Sequence, residues 1–377
     1  MSLPWETPEI AKIYNPEWIE FFQTIGPKIE ENLQAKNLTE HIATLTPAEK
    51  KKLLTKEYCY LIRDKLKCYL PINDFKDQIQ VTNTKIKSYD GFDVPVRVYQ
   101  SKKGLGQTQA VYISHHGGGW LHGGLHYDEY QSYWLVHLTG VTVIDVDYRM
   151  IPDYTVSVVS LDILSVYKTV AEQGLRLFNV DPSRITVGGY SAGAKSALML
   201  GHLSRDLNLP LALVFANVPC VQDLVVFENI DDIPYNGSYK KFENDLNLSR
   251  EDMKAYEEFA LQAEQLHPNQ VDIAQVEKFF GSASFLENME KYYQADIMSS
   301  PNFQNLPRHI IVTGQTDVLG DGGRAYAKKL IDEHVTVTST VIKGLGHSHH
   351  NFTNKFEESK RFLYFLADSL KHVAGGN

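Results

Sequence analysis

Apolar positions follow one rhythm up to about residue 75 and a different one afterwards. In the first stretch they recur at helical spacing. Asn15-Pro16-Glu17 combines a cap residue, a proline in the first turn and an early acid, which predicts a helix start. Trp18, Phe22, Ile25 and Ile29 then fall on one face. Gly26-Pro27 is expected to kink or split that helix. Thr46-Pro47-Ala48-Glu49 reads as a capping box opening a second helix toward Tyr69. From Gln78 the pattern becomes strand-like. Ile79 to Ile86 and the alternating run Val94 to Tyr99, joined through Tyr89-Asp90-Gly91, predict an antiparallel hairpin. Ser101 to Gln107 reads as a solvent loop.

Buried strands and helices then alternate. Strands are expected at Ala110–Ser114, Val141–Arg149, Ile185–Gly188, Leu211–Ala216, Arg308–Gly314 and Val335–Ile342. Helices are expected at Leu161–Gln173, ending near Gly174, and at Ala194–His202, Gly322–Glu333 and Glu357–Val373. Such alternation implies a mostly parallel sheet with right-handed crossovers, an α/β architecture flanked by helices. The segment from Val221 to Ser300 breaks it with acidic loops and a helix from the Ser249 cap to about Leu266. The expected organisation is an N-terminal helical region (1–77) contributing to a cap, a first core part (78–220), a helical cap insertion (221–300) and a second core part (301–377).

Composition narrows the function classes. The 377 residues are 43% hydrophobic and 22% charged, ordinary for a globular protein with a large core. A formal charge of −9 argues against nucleic acid or an anionic membrane surface as partner. Three cysteines, Cys59, Cys68 and Cys220, give neither a disulfide framework nor a zinc motif. The N-terminus lacks basic and apolar signal regions, and the longest apolar stretch, Leu209 to Val221, is too short to span a bilayer. The expectation is a cytoplasmic protein without a membrane span.

The candidate chemistry centres on Ile185-Thr186-Val187-Gly188-Gly189-Tyr190-Ser191-Ala192-Gly193. A strand running into Gly-x-Ser-x-Gly and then a helix is the context of a nucleophile elbow, with the serine strained at the strand's carboxyl end. Upstream, a strand leads into His115-His116-Gly117-Gly118-Gly119-Trp120. Consecutive glycines let a backbone approach a ligand with its amides free, and His-Gly-Gly-Gly is the oxyanion-loop pattern that accompanies such an elbow. Asp317 and His347 each follow a later strand, in the order Ser…Asp…His that this elbow uses. A serine hydroxyl needs an imidazole to take its proton, and the imidazole needs a carboxylate to fix its tautomer. Oxyanion donors would be the amides of Gly118, Gly119 and Ala192. Asp321 is the alternative carboxylate, with helix capping as its other role. His350, followed by Asn351-Phe352, is the alternative base, and with His349 the cluster could instead hold a metal.

These pieces resemble the hormone-sensitive-lipase-like carboxylesterases of the α/β-hydrolase fold. The resemblance rests on His116-Gly117-Gly118-Gly119-Trp120, Asp147-Tyr148-Arg149-Met150-Ile151-Pro152, Asp181 through Gly193, Ser300-Pro301, Asp317 through Gly323 and Gly344 through His347, in the family's order over about residues 80 to 370. It implies ester hydrolysis through an acyl-enzyme, a small-molecule ester substrate, no cofactor, a cap built partly from N-terminal helices and a frequent homodimer. Tyr190 stands where the family usually has Asp, and Ala194 where it usually has Gly. Three functions stay open on the sequence: a serine esterase for small or medium acyl esters, an amidase or deacetylase using the same triad, and a non-catalytic ligand-binding member of the fold.

Overall fold

The computed structural model describes residues 3–35, 68–222, 235–245 and 247–375. The helix expected from Thr46 toward Tyr69 falls almost wholly outside them. After a short helical turn at Pro8–Ala11, helix α1 (Pro16–Ala35) precedes the hairpin β1 (Ile79–Lys87) and β2 (Asp93–Ser101). Then follow β3 (Gln109–His115), α2 (Glu129–Thr139), β4 (Thr142–Val146), α3 (Val156–Phe178), β5 (Val180–Tyr190), α4 (Ala192–Asp206) and β6 (Leu213–Asn217). After β6 come α5 (Arg250–Leu266) and α6 (Ile273–Phe280), and then β7 (Arg308–Gly314), α7 (Gly320–Asp332), β8 (Val337–Ile342) and α8 (Glu357–Ala374).

The eight strands form one sheet in the order β1-β2-β4-β3-β5-β6-β7-β8. β1, β2 and β4 pair antiparallel, and every pair from β4 onward is parallel. Side chains alternate across it. Val111 and Ile113 of β3 join α3 and α4 in one core cluster, whereas Ala110 and Tyr112 join α2 and α8 in another. Register brings the functional strand ends together: His115 pairs with Gly189, Tyr190 with Asn217, and Gly314 with Ile342. Those ends lie at the carboxyl edge, where ligands of open α/β sheets bind.

Two expectations need correction. Of the kink or split expected at Gly26-Pro27, the split does not occur: α1 runs as one helix from Pro16 to Ala35. An interior proline removes one backbone donor but leaves the turns on either side bonded. The helix after β4 does not end near Gly174. It starts earlier, at Val156, where Thr155 caps it, and ends at Asn179 in the left-handed conformation at φ 55°. Gly174 serves close packing, since a Cβ there would lie 2.7 Å from the Val180 side chain.

Two further contacts hold the site's surroundings. Arg149 forks onto Asp162 of α3 at 2.8 and 2.7 Å and reaches Asp90 at 2.6 Å, which ties the chain after β4 to the hairpin turn. Trp18 of α1 packs on Phe352 and Phe356, with ring centroids 5.5 and 5.2 Å apart, so the N-terminal helix braces the chain just past the histidine cluster.

Candidate active site

Ser191 is the turn between β5 and α4. Its φ of 56° and ψ of −123° lie outside the conformations an L-residue ordinarily adopts. The turn is held by Ser191 N–H donating to the Asn217 carbonyl at 3.0 Å and by Lys195 N–H donating to the Ser191 carbonyl at 3.0 Å. The two elbow glycines are dictated by space. A Cβ on Gly189 would lie 2.2 Å from the His115 carbonyl oxygen, and one on Gly193 would lie 2.0 Å from the same atom. The end of β3 passes directly against the elbow, and that approach delivers the triple-glycine loop to the serine. The amino end of α4 begins at Ala192, where a helix terminus favours developing negative charge.

Gly118 and Gly119 both take positive φ, 107° and 62°. A Cβ on Gly118 would fall 2.1 Å from the His122 carbonyl, and one on Gly119 would fall 2.4 Å from the Tyr256 ring. The loop turns back on itself as Leu121 N–H donates to the Gly118 carbonyl at 3.0 Å. Its base is braced by Tyr148, whose hydroxyl donates to the His116 carbonyl at 2.5 Å and whose ring stacks on the His116 imidazole at 4.2 Å. Burial pushes the imidazoles of His115 and His116 down to about 4, so both are neutral at pH 7. The Asp147-Tyr148-Arg149 stretch thus supports the triple-glycine loop from one side and the hairpin turn from the other.

Asp317 and His347 meet. His347 Nδ1 lies 2.9 Å from Asp317 Oδ2. Asp317 Oδ1 accepts from Leu319 N–H at 2.9 Å. The side chains are buried, Asp317 completely and His347 to 5% exposure, so the pair is only weakly screened by water. A carboxylate at Nδ1 favours the tautomer protonated there, in which Nε2 is able to accept a proton. The alternatives go elsewhere. Asp321 accepts from Ser238 N–H at 2.7 Å and pairs with Arg324, so it caps a short neighbouring helix at Gly237–Lys241. His349 Nε2 contacts Asn217 Oδ1 at 3.0 Å, and burial pushes its imidazole down to about 3. His350 packs against the Tyr190 ring, centroids 3.9 Å apart. Tyr190 also stacks on Tyr127 at 6.0 Å, so an aromatic layer fills the space behind the elbow. Among the described residues no three His, Cys, Asp or Glu side chains are grouped to hold a metal ion.

No motif marks three neighbours of the site. Tyr256 of α5 lies on Gly119, and its hydroxyl is 3.1 Å from His122 Nε2, so the segment between β6 and β7 touches the triple-glycine loop directly. Lys195 of α4 is almost fully buried, with Nζ 3.4 Å from the Ala295 carbonyl and 5.5 Å from the Trp120 ring centre. Asp245 is buried beside the turn that carries His347. Tyr256 sits at an ordinary helical position, and long-range contacts of this kind have no local sequence signature.

A family model described as the α/β-hydrolase fold matches residues 112–351. An arylesterase of Saccharolobus solfataricus is 27% identical over 302 residues, covering 79% of this chain and 85% of that protein. An arylacetamide deacetylase of Bos taurus is 26% identical over 305 residues, covering 70% and 74%. Among solved structures, an esterase of Pyrobaculum calidifontis superposes with a TM-score of 0.62 at 24% identity, covering 78% of this chain and 85% of that one, a likeness of fold.

Proposed function

Because the chain belongs to the α/β-hydrolase family, as a carboxylesterase of the hormone-sensitive-lipase-like type, we propose that it cleaves small or medium acyl esters with Ser191 as nucleophile, His347 as base and Asp317 as the group that orients the base. His347 Nε2 takes the hydroxyl proton as Ser191 Oγ attacks the ester carbonyl. The amides of Gly118, Gly119 and Ala192 stabilise the tetrahedral oxyanion. His347 then returns the proton to the leaving alkoxide, and water, activated by the same imidazole, releases the acid from the acyl-serine.

The observation that carries the reading is the buried 2.9 Å contact between His347 and Asp317 at the sheet edge where Ser191 is held at φ 56°. The named helices before β1 and between β6 and β7 form the cap in this account. The arylacetamide deacetylase relative supports a second reading, in which the same groups also cleave amides. We further place the enzyme in the cytoplasm as a homodimer, on its cysteine usage and on the resemblance of its motifs.

The test is hydrolysis of p-nitrophenyl acetate and a matched anilide. Ser191→Ala is expected to lose about four orders of magnitude or more in kcat/KM. His347→Ala is expected to lose a comparable factor, and His350→Ala at most about tenfold. Full activity in His347→Ala with loss in His350→Ala would move the base to the second histidine. Comparable rates on ester and anilide would favour the amidase reading.

A further inference from the structure

The triad carboxylate has a buried acidic neighbour that no motif indicates. Asp245 lies in the chain between β6 and α5 and is 2% exposed. It is held from two sides. Tyr14, in the segment before α1, donates its hydroxyl to Asp245 Oδ2 at 2.7 Å. Asn247 donates to Oδ1 through its backbone N–H at 2.8 Å and its side chain at 3.2 Å. Tyr14 is itself pinned edge-on between Trp5, at 5.3 Å, and Phe242, at 5.9 Å.

The carboxylate is set against the turn that presents the base. A Cβ built on Gly346, the residue before His347, would lie 3.5 and 3.6 Å from the two Asp245 oxygens. The same turn is stitched to the N-terminal segment, since Asn15 N–H donates to the Gly344 carbonyl at 2.8 Å. The ionisable groups that act on Asp245 include Tyr14 from the N-terminal segment and Asp317 from the loop after β7. Its own loop adds the Glu243–Arg250 ion pair at 3.1 Å. Burial pushes the Asp245 carboxyl up to about 6, and the charge of Asp317 adds to that rise. The hydrogen bonds from Asn247 and Tyr14 oppose it.

We propose that Asp245 is a positioning residue for the hydrolysis: clamped by Tyr14 behind the Gly346 turn, its carboxylate adds negative potential at the His347–Asp317 pair and stabilises the imidazolium that forms on proton transfer. The inference rests on the triad reading given above. It gives the N-terminal segment and the cap a shared part in the chemistry, because one supplies the donor and the other the charge.

Above about pH 6 the carboxylate is charged, and a negative charge behind the turn stabilises a positive one forming on it, so the acid limb of the kcat/KM profile depends on that charge. Removing the charge must move that limb down. Asp245→Asn is expected to shift it by roughly half to one pH unit toward acid. Activity on the alkaline plateau should fall by about three- to tenfold, the counterpart of that shift. Tyr14→Phe keeps the carboxyl but removes a donor to its charged form. Its limb is expected to move in the same direction by a smaller amount, and it serves as the test if Asp245→Asn does not fold. A limb that stays in place in a folded variant overturns the proposal, as does an equal loss of activity at every pH, which is the mark of a purely structural anchor. Ser191→Ala, assayed alongside, separates the two claims. An inactive Ser191→Ala with an unmoved limb defeats the role of Asp245 alone, and an active one defeats the triad reading.

Discussion

Ser191 is held at φ 56°, a strained conformation for a residue with a side chain. The strain persists because the surroundings over-determine it, with the Asn217 carbonyl on one side and the closely passing β3 on the other. Gly119 is the complementary position. An alanine can adopt its φ of 62° at a modest cost of roughly 1 kcal/mol. The tighter constraint is Tyr256, whose ring occupies the place a methyl group would take, 2.4 Å away. Gly119→Ala must therefore displace either the ring or the amide. A lost oxyanion donor lowers kcat by about 100- to 1000-fold. We predict a fall of that order with little change in KM and a melting temperature within a few degrees of wild type. Steady-state kinetics on p-nitrophenyl acetate would check it, and a wild-type kcat would remove Gly119 from the oxyanion site.

At the level of elements, legibility followed how local each cause is. Strands β3, β5, β6 and β7 read directly from continuous β-branched runs because both faces of a parallel sheet are buried. Only their ends moved, as with β5, which starts at Val180 rather than at Ile185. The elbow and the triple-glycine loop were legible for the same reason, since both are short backbone turns with fixed residue needs. Gly174 misled because a glycine near the end of a helical pattern resembles a cap, whereas this one makes room for Val180. His347 and His350 could not be separated by spacing alone. Their difference is tertiary: one turns its Nδ1 to a carboxylate brought by β7, and the other turns to the ring of Tyr190. Tyr256 and Asp245 were invisible for a related reason. Each acts through a partner more than a hundred residues away in the chain, Tyr256 on Gly119 and Asp245 bonded to Tyr14.

Among the described residues several titratable groups are buried, and their balance sets the response of the whole molecule to pH. Burial holds His115, His116 and His309 down at about 4, His349 at about 3, and His202 well below its ordinary value. The unfolded chain takes up protons on these five as pH falls through about 6.5, and the folded chain does not, so stability rises with pH up to that point. Asp145 works in the opposite sense. Burial first, and the charge of Asp128 second, push its carboxyl up to about 8, so the folded chain keeps a proton that the unfolded one has lost. Asp245 adds a smaller effect of the same sign below about pH 6. Below about 6.5 the five histidines outweigh the raised carboxyls, Asp147 and Glu264 included, and above it Asp145 remains. Thermal melts across pH 4.5 to 8.5 should therefore peak close to pH 6.5, and Asp145→Asn should flatten the alkaline side. A melting temperature that climbs steadily to pH 8.5 in the wild type would contradict this. The claim on which the rest depends is that Ser191 carries the acyl group, and the most direct measurement is mass spectrometry of the enzyme after reaction with a fluorophosphonate ester. A single adduct is expected on the peptide containing Ser191, absent in Ser191→Ala, with loss of esterase activity in proportion to labelling. Full labelling of another residue, or complete esterase activity in protein labelled at Ser191, would contradict it.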